Sequence, residues 1–125
     1  KMKQLDFLVF PSEQPTISVE NDEIYGGAHK YEIQNSIGFN NGKADYVDSS
    51  QVIQFVQKND DGEMIPGVQS EQLAYVLLDR CIKLNNRFPS SHNEKMISGL
   101  NTFIEACEER VQERIDRGVM GQLQK

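Results

Sequence analysis

The clearest pattern of apolar and polar positions runs from Ser90 to Gly118. Apolar residues recur there every three or four positions on one side of a helix, and acidic and amide residues occupy the other side. The apolar side consists of Met96, Ile97, Leu100, Phe103, Ile104, Cys107, Val111 and Ile115. Ser91 followed by Glu94 matches a capping box, and Gly118 supplies the left-handed residue that ends many helices. The pattern predicts one long amphipathic helix.

A second helical pattern precedes this one. Ser70 is a good N-cap, and the residues after it form a wide apolar side: Leu73, Ala74, Leu77, Leu78, Cys81, Ile82 and Leu84. Pro89 ends the helix because proline disfavours helical geometry at the residue before it, Phe88. Since the link to the next helix is short, residues 68–118 are predicted to form an antiparallel two-helix hairpin.

The first half of the chain has the pattern of short strands. Strand formers or alternating apolar and polar residues occupy positions 4–10, 16–19, 31–34 and 51–58. Asn41-Gly42 is a strong hairpin signal, because both central residues of that turn need positive φ. Residues 4–66 are therefore predicted to form a small antiparallel sheet with one face covered by the helices. We expect a single α+β domain over residues 1–125.

Composition and charge narrow the function classes. The chain has 125 residues and a formal net charge of −6, which argues against binding a nucleic-acid polymer. No apolar run approaches the roughly 20 residues that span a bilayer, and we expect no signal peptide, anchor or membrane partner. Cys81 and Cys107 fall on apolar helix sides and are expected to be buried free thiols. The acid-rich turn at 59–62 lacks the oxygen ligands of a calcium loop, so no metal or cofactor is expected.

The arginines are placed unevenly. All five follow position 79: Arg80, Arg87, Arg110, Arg114 and Arg117. At roughly 100° per residue, the last three project in nearly the same direction as Met96 and Phe103, so the apolar side becomes cationic over its last turns. The planar guanidinium group suits a phosphate that is partly shielded from water. In the alternative interpretation the helix end is solvated, and Glu113 pairs with Arg110 and Arg117.

The predicted hairpin places four further candidate residues together at its tip. These are Arg87, Phe88, His92 and Asn93. An aromatic ring beside arginine and asparagine can stack a nucleobase and bond its edge. The same residues also suit a hydrophobic plug with a helix cap. We hypothesise that Arg110 and Arg114 hold ligand phosphates, while Phe88 and Asn93 line a base or ribose site.

From about Tyr31 onward the chain closely resembles the phage-encoded anti-Thoeris sponge proteins, the Thoeris anti-defence protein type one family. The resemblance is carried by the segments IGFNNGKADYV, IQFVQKNDDGEMIPGVQSEQLAYVLLDR, KLNNRFPSSHNEKMISGL and EACEERVQERIDRGVMGQ. The helical hairpin is also similar to that of the phage anti-CBASS cyclic-nucleotide sponges.

The resemblance implies a function in the cytoplasm of an infected host. Thoeris defence uses a TIR-domain enzyme that converts NAD into a cyclic ADP-ribose signal, and the sponges sequester that glycocyclic ADP-ribose without cleaving it. Some members also bind cyclic di- or trinucleotides of CBASS defence. The apolar side of the second helix favours a homodimer, and the resemblance raises the expectation of a hexamer.

The residues themselves favour binding over catalysis. The sequence shows no nucleophile beside a base, no paired carboxylates on a defined pocket wall and no glycine-rich phosphate loop. We therefore expect no catalytic residues. Two alternatives stay open: a protein-interaction module that masks a host defence enzyme, and a hydrolase of the signalling nucleotide.

Overall fold

The structure, a computed structural model, describes residues 2–9, 12–24 and 27–118. Its internal contacts divide the chain into two compact units. Of the described residues, 2–9, 12–24, 27–59 and 63–68 form the β unit, and 60–62 and 69–118 form the helical unit. The expectation of one domain over the whole chain stays a prediction, as does the covering of the sheet by the helices.

The β unit contains the predicted antiparallel sheet. Its described strands are β1 (Met2–Gln4), β2 (Ile17–Asn21), β3 (Ala28–Asn40), β4 (Lys43–Gln54), β5 (Gln57–Lys58) and β6 (Met64–Ile65). The first four form one sheet in the order β1-β2-β3-β4, with every pairing antiparallel, and β5 pairs with β6 in a separate ribbon. The α+β class is therefore confirmed.

The turn between β3 and β4 is the predicted hairpin. Asn41 has φ of 53° and Gly42 has φ of 77°, so both central residues adopt the left-handed region that this turn type requires. The prediction was correct because the turn is specified by two neighbouring residues.

Two strands of the structure are shorter than the sequence pattern predicted. β1 stops at Gln4, although Leu5 N still donates to Ile17 O at 2.9 Å. Because Pro15 lies two residues before Ile17 and has no N–H group, it cannot extend the ladder towards residue 10. Residues 51–58 are not one strand: β4 ends at Gln54, and Phe55 forms an isolated bridge to Val68.

The four-stranded sheet has one apolar face and one polar face. Ile17, Val19, Tyr31, Ile33 and Ile53 share the apolar face, because paired residues and alternate residues of a strand point to the same side. Val19 is only 2% exposed.

The helical unit is an antiparallel hairpin of α1 (Ser70–Arg87) and α2 (Ser91–Asp116). The predicted N-caps were each off by one residue. Gln69 precedes α1, and its N–H donates to the Gln72 side chain at 2.8 Å. Ser90, not Ser91, caps α2. The predicted stop at Gly118 is confirmed, because Gly118 has φ of 72° and donates to Ile115 O at 3.0 Å.

Apart from Leu73, the buried and half-buried residues of each helix form one line spaced alternately by three and four positions, which we call the hairpin seam. In α1 the seam contains Glu71, Ala74, Leu78, Cys81 and Asn85. In α2 it contains Asn93, Ile97, Leu100, Ile104, Cys107, Val111 and Arg114. Both cysteines are free; Cys107 is buried as predicted, whereas Cys81 is half-buried. Among the helices of the described residues, none combines the length and apolar character needed to cross a bilayer.

Candidate functional site

The four residues predicted at the hairpin tip do lie together. Arg87 ends α1, Phe88 follows it, and His92 and Asn93 lie in the first turn of α2. The guanidinium carbon of Arg87 is 5.0 Å from the centre of the Phe88 ring. That distance is within the range of a cation–π contact.

Hydrogen bonds fix the backbone of this tip while leaving the Phe88 ring accessible. Asn93 Nδ2 donates to Phe88 O at 3.0 Å, and Phe88 N donates to Leu84 O at 2.8 Å. Ser90 Oγ accepts from Asn93 N at 3.0 Å, which is the N-cap bond of α2. The ring is 61% exposed, so it does not act as a hydrophobic plug within the described chain. Asn93 thus fixes the tip through one of the two N–H donors of its amide group.

The three arginines near the end of α2 have different environments. Arg117 is exposed and forms an ion pair with Glu113, in which Nη2 donates to Oε2 at 3.3 Å. This pairing confirms the solvated-end interpretation for Arg117. Arg110 is exposed. Arg114 is half-buried, and its Nε atom is buried.

Arg114 continues the hairpin seam of α2. It follows Val111 by three residues, and Val111 follows Cys107 by four, so Arg114 takes a position of the line that apolar side chains fill from Ile97 to Val111. Arg110 projects within roughly 40° of Arg114, because residues four apart lie on neighbouring turns. The structure thus places Arg110 and Arg114 one helical turn apart on the same side of α2, with Arg114 half-buried.

One chain does not bring the arginines and the tip into one pocket. Asn93 and Arg114 are 21 residues apart in the same helix. At a rise of about 1.5 Å per residue, roughly 31 Å separates them along the helix axis. The two groups of predicted site residues therefore lie at opposite ends of α2.

A second line of residues flanks the hairpin seam on α2, and we call it the flanking stripe. Its members are spaced alternately by four and three positions: His92, Met96, Gly99, Phe103, Ala106 and Arg110. Met96 and Phe103 are each 47% exposed, and nothing lies within 4 Å of the place where a Cβ of Gly99 would be. A partly exposed apolar line with small residues beside an aromatic ring suits close packing of another helix.

Helix geometry puts an apolar line of α1 on the same face of the hairpin. Leu77 and Leu84 are 51% and 40% exposed, and they lie about a quarter-turn from the seam in the same rotational sense as the flanking stripe. In an antiparallel pair of helices, equal rotational sense means one common face.

The sequence prediction merged this stripe with the seam. Met96 and Phe103 were assigned to the same apolar side as Ile104 and Cys107. The two lines are distinguished by the regular positions of Gly99 and Ala106, which were left out of the predicted apolar side because their side chains are small. This spacing could be recognised from the sequence.

Searches against known proteins assign no family. No protein-family model matches the chain, and no curated protein matches it. The likeness to the anti-Thoeris sponges therefore stays a prediction that rests on the sequence segments quoted above.

Proposed function

We propose that this chain is a phage anti-defence sponge of the host cytoplasm. It binds and sequesters the TIR-derived glycocyclic ADP-ribose signal of Thoeris immunity without cleaving it, and it also takes cyclic di- or trinucleotides of CBASS defence. The observation that supports this proposal best is the half-buried Arg114, which occupies a seam position beside Arg110.

Two adjacent guanidinium groups match the chemistry of a nucleotide pyrophosphate. The planar guanidinium group is weakly hydrated, so it tolerates partial burial better than an ammonium group does, and it can form two parallel hydrogen bonds to a phosphate. Each charge-assisted hydrogen bond contributes about 1.5–3 kcal/mol. Arg110 and Arg114 thus have the charge and spacing to hold two phosphates.

A second copy of the chain would complete the site. We place its α2 antiparallel to the first, with the two Phe103 residues at the centre of the flanking stripes. Gly99 of one copy then faces Ala106 of the other, and Met96 faces Arg110. The tip of one copy reaches the arginines of the other, so Phe88 is available to stack a base next to the bound phosphates.

This arrangement also brings a helix N-terminus to the phosphates. The first turn of α2 carries partial positive charge, and in the antiparallel pair it lies beside the arginines of the second copy. These positive charges repel one another, so they destabilise the dimer without ligand and favour a dimer that holds a dianion. The proposed unit is a homodimer, and a hexamer built from such dimers is the larger assembly that the resemblance implies.

Sequestration requires affinity and enough sites, and it needs no bond to break. No catalytic group is therefore assigned to this chain. A masking module for a host enzyme is the second candidate, and the observation that favours it is the exposed acidic face of α2, which carries Glu105, Glu108 and Glu109.

Recovery of the ligand separates the candidate functions. Purified protein is mixed with glycocyclic ADP-ribose, the free ligand is removed by filtration, and the protein is denatured by heat. A sponge depletes the ligand from the filtrate and releases it intact. A masking module depletes none, and a hydrolase releases an altered nucleotide.

Substitution of the arginines tests the site. The double variant Arg110→Ala/Arg114→Ala is expected to lose at least about a hundredfold in affinity for glycocyclic ADP-ribose, because two charge-assisted contacts disappear. Isothermal titration measures the loss, and circular dichroism checks that the variant is folded.

Arg80→Ala, which removes an exposed arginine of α1, is the matched control and should bind normally. Cyclic triadenylate is titrated in parallel. Undiminished binding of both ligands to the double variant would remove the arginines from the site. Loss of only one ligand would mean that the two ligand classes use separate sites.

A further inference from the structure

A polar trough crosses the polar face of the four-stranded sheet. It has a volume of about 270 Å³ and takes residues from all four strands or the segments beside them. Its lining consists of Gln4, Thr16, Ser18, Glu32, Gln34, Asp48, Ser49 and Ser50. Every one of these side chains carries a hydrogen-bonding group, and none is cationic or aromatic.

The register of the sheet explains how these side chains come together. Gln4 pairs with Ser18, and Ser18 pairs with Glu32, so these three form one row across β1, β2 and β3. A second row begins at Thr16, whose carbonyl accepts from Gln34 N at 2.9 Å, and it continues because Gln34 pairs with Ser50. The two rows are two residues apart along each strand and therefore share a face.

An irregularity in β4 forms one wall of the trough. Between the pairs Gln34↔Ser50 and Ser36↔Tyr46, β4 advances four residues while β3 advances two. The additional residues curl the strand and bring Asp48 and Ser49 to the rim. Bulges of this kind redirect side chains and are common beside binding sites.

Thr16 is an unusual residue for an exposed sheet face. The residue is 5% exposed, and its side chain makes no hydrogen bond to any residue that the structure describes. Because Ile17 and Val19 point to the apolar face, Thr16 points to the polar one and lines the trough. Its hydroxyl oxygen is not one of the buried polar atoms that lack a partner, so it is open to the trough and can bond a ligand there.

The charges of the trough restrict the class of ligand. Glu32 and Asp48 are its two carboxylates, and neither forms an ion pair within the described part of the chain. Two carboxylates without a lysine or arginine repel phosphate. They accept hydrogen bonds from adjacent hydroxyl groups, as acidic residues do in binding a ribose.

We propose that this trough binds a neutral sugar through a vicinal pair of hydroxyl groups. The carboxylate of Glu32 accepts from the diol, and the hydroxyl groups of Thr16 and Ser18 bond the remaining sugar oxygens. A free monosaccharide and the ribose of a nucleoside both have this chemistry. No arginine of α2 lines the trough, so its test does not depend on the proposed function.

Titrations of the full chain distinguish these sources. Amide chemical shifts of the ¹⁵N-labelled protein are followed with methyl mannoside, adenosine, 2′-deoxyadenosine and spermidine. Saturable shifts at Ser18, Glu32 and Gln34 are expected with a diol. Methyl mannoside identifies a free sugar as the ligand, and adenosine identifies a nucleoside.

The proposal is overturned if no diol gives saturable shifts. It is also overturned if adenosine and 2′-deoxyadenosine bind equally while methyl mannoside does not bind, because 2′-deoxyadenosine has no vicinal diol. Binding of spermidine alone would overturn it as well, because spermidine is a cation without hydroxyl groups.

Two variants test the named contacts. Glu32→Gln should weaken diol binding about tenfold to a hundredfold, and Thr16→Val about threefold to tenfold. Asp45→Asn removes a carboxylate of β4 that lies outside the trough, and it should bind the diol normally. Equal affinities in Glu32→Gln and the wild type would exclude the proposed contact, and this variant suffices even where Thr16→Val does not fold.

Discussion

Ser90 carries the hydrogen bond that starts α2, and its neighbour Ser91 does not. Its Oγ accepts from Asn93 N, and its own N–H donates to Asn85 Oδ1 at 3.1 Å. Two serines in succession each fit the pattern of a cap, and the choice between them depends on Asn85, which lies in the other helix. A pattern of neighbouring residues identified the helix start but not the capping residue.

Alanine substitution of each serine tests this assignment. Ser90→Ala should lower the free energy of unfolding by about 1 kcal/mol, because an N–H group of the first turn loses its acceptor. Ser91→Ala is the matched control and should change it by less than ~0.5 kcal/mol. Urea denaturation measures both, and a larger loss at Ser91 would contradict the assignment.

The positions of the candidate ligand residues were predicted correctly for some of them and not for others. Phe88 and Arg87 were correctly placed together, because a short link fixes the end of a helix. The different burial of Arg114 and Arg117 was not predicted, because the sequence pattern placed both on one broad side of the helix. The seam steps alternately by three and four residues, so after the step from Val111 to Arg114 the next position is 118. Arg117 lies one residue before that position and pairs with Glu113.

At the scale of the element, α2 has two apolar lines with different uses. Ile104 belongs to the hairpin seam and is 5% exposed, whereas the adjacent Phe103 belongs to the flanking stripe and is 47% exposed. A helix that is apolar on two sides needs two partners, and α1 supplies only one of them.

Substitutions at these two neighbours should therefore separate stability from association. Ile104→Ala should lower the free energy of unfolding by about 2–5 kcal/mol, because it leaves a cavity in the seam. Phe103→Ala should cost about 1 kcal/mol in the diluted single chain and should weaken self-association more strongly. Denaturation measures the first effect and sedimentation velocity the second; equal self-association of Phe103→Ala and wild type would contradict the proposed interface.

The strands show which elements the sequence determines locally. The β3–β4 turn follows from Asn41-Gly42 alone. The end of β4 follows from contacts with a distant segment: Val68 N donates to Gln54 O at 2.8 Å, and a Cβ on Gly67 would lie 2.4 Å from the Phe55 carbonyl carbon. Such a close approach requires glycine at position 67. The pattern of residues 51–58 does not indicate this contact, because the contact depends on a segment outside it.

At the scale of the whole molecule, the proposed site combines the tip of one copy with the arginines of another. A mixing experiment tests this arrangement directly. One variant lacks the arginines (Arg110→Ala/Arg114→Ala), and the other lacks the exposed side chains of the tip (Arg87→Ala/Phe88→Ala). Each variant alone should fail to bind glycocyclic ADP-ribose.

The mixed variants should regain binding. Each mixed dimer has one site with an intact tip and intact arginines, so random mixing restores about a quarter of the wild-type capacity. Equilibrium dialysis of the mixture, after unfolding and refolding the two chains together, measures the recovery. No recovery from a mixture that does form dimers would contradict the shared site.

The two helices of the hairpin have unequal lengths, 18 residues for α1 and 26 for α2. α2 is thus eight residues, roughly 12 Å of helix, longer than α1, and its last eight residues contain both Arg110 and Arg114. Amide protons there should exchange with solvent faster than those near Ile104 in the diluted single chain, and glycocyclic ADP-ribose should slow that exchange. Capture of the signal and ordering of this helix end would then be one coupled equilibrium, and the measured affinity would include the entropy lost by the helix end.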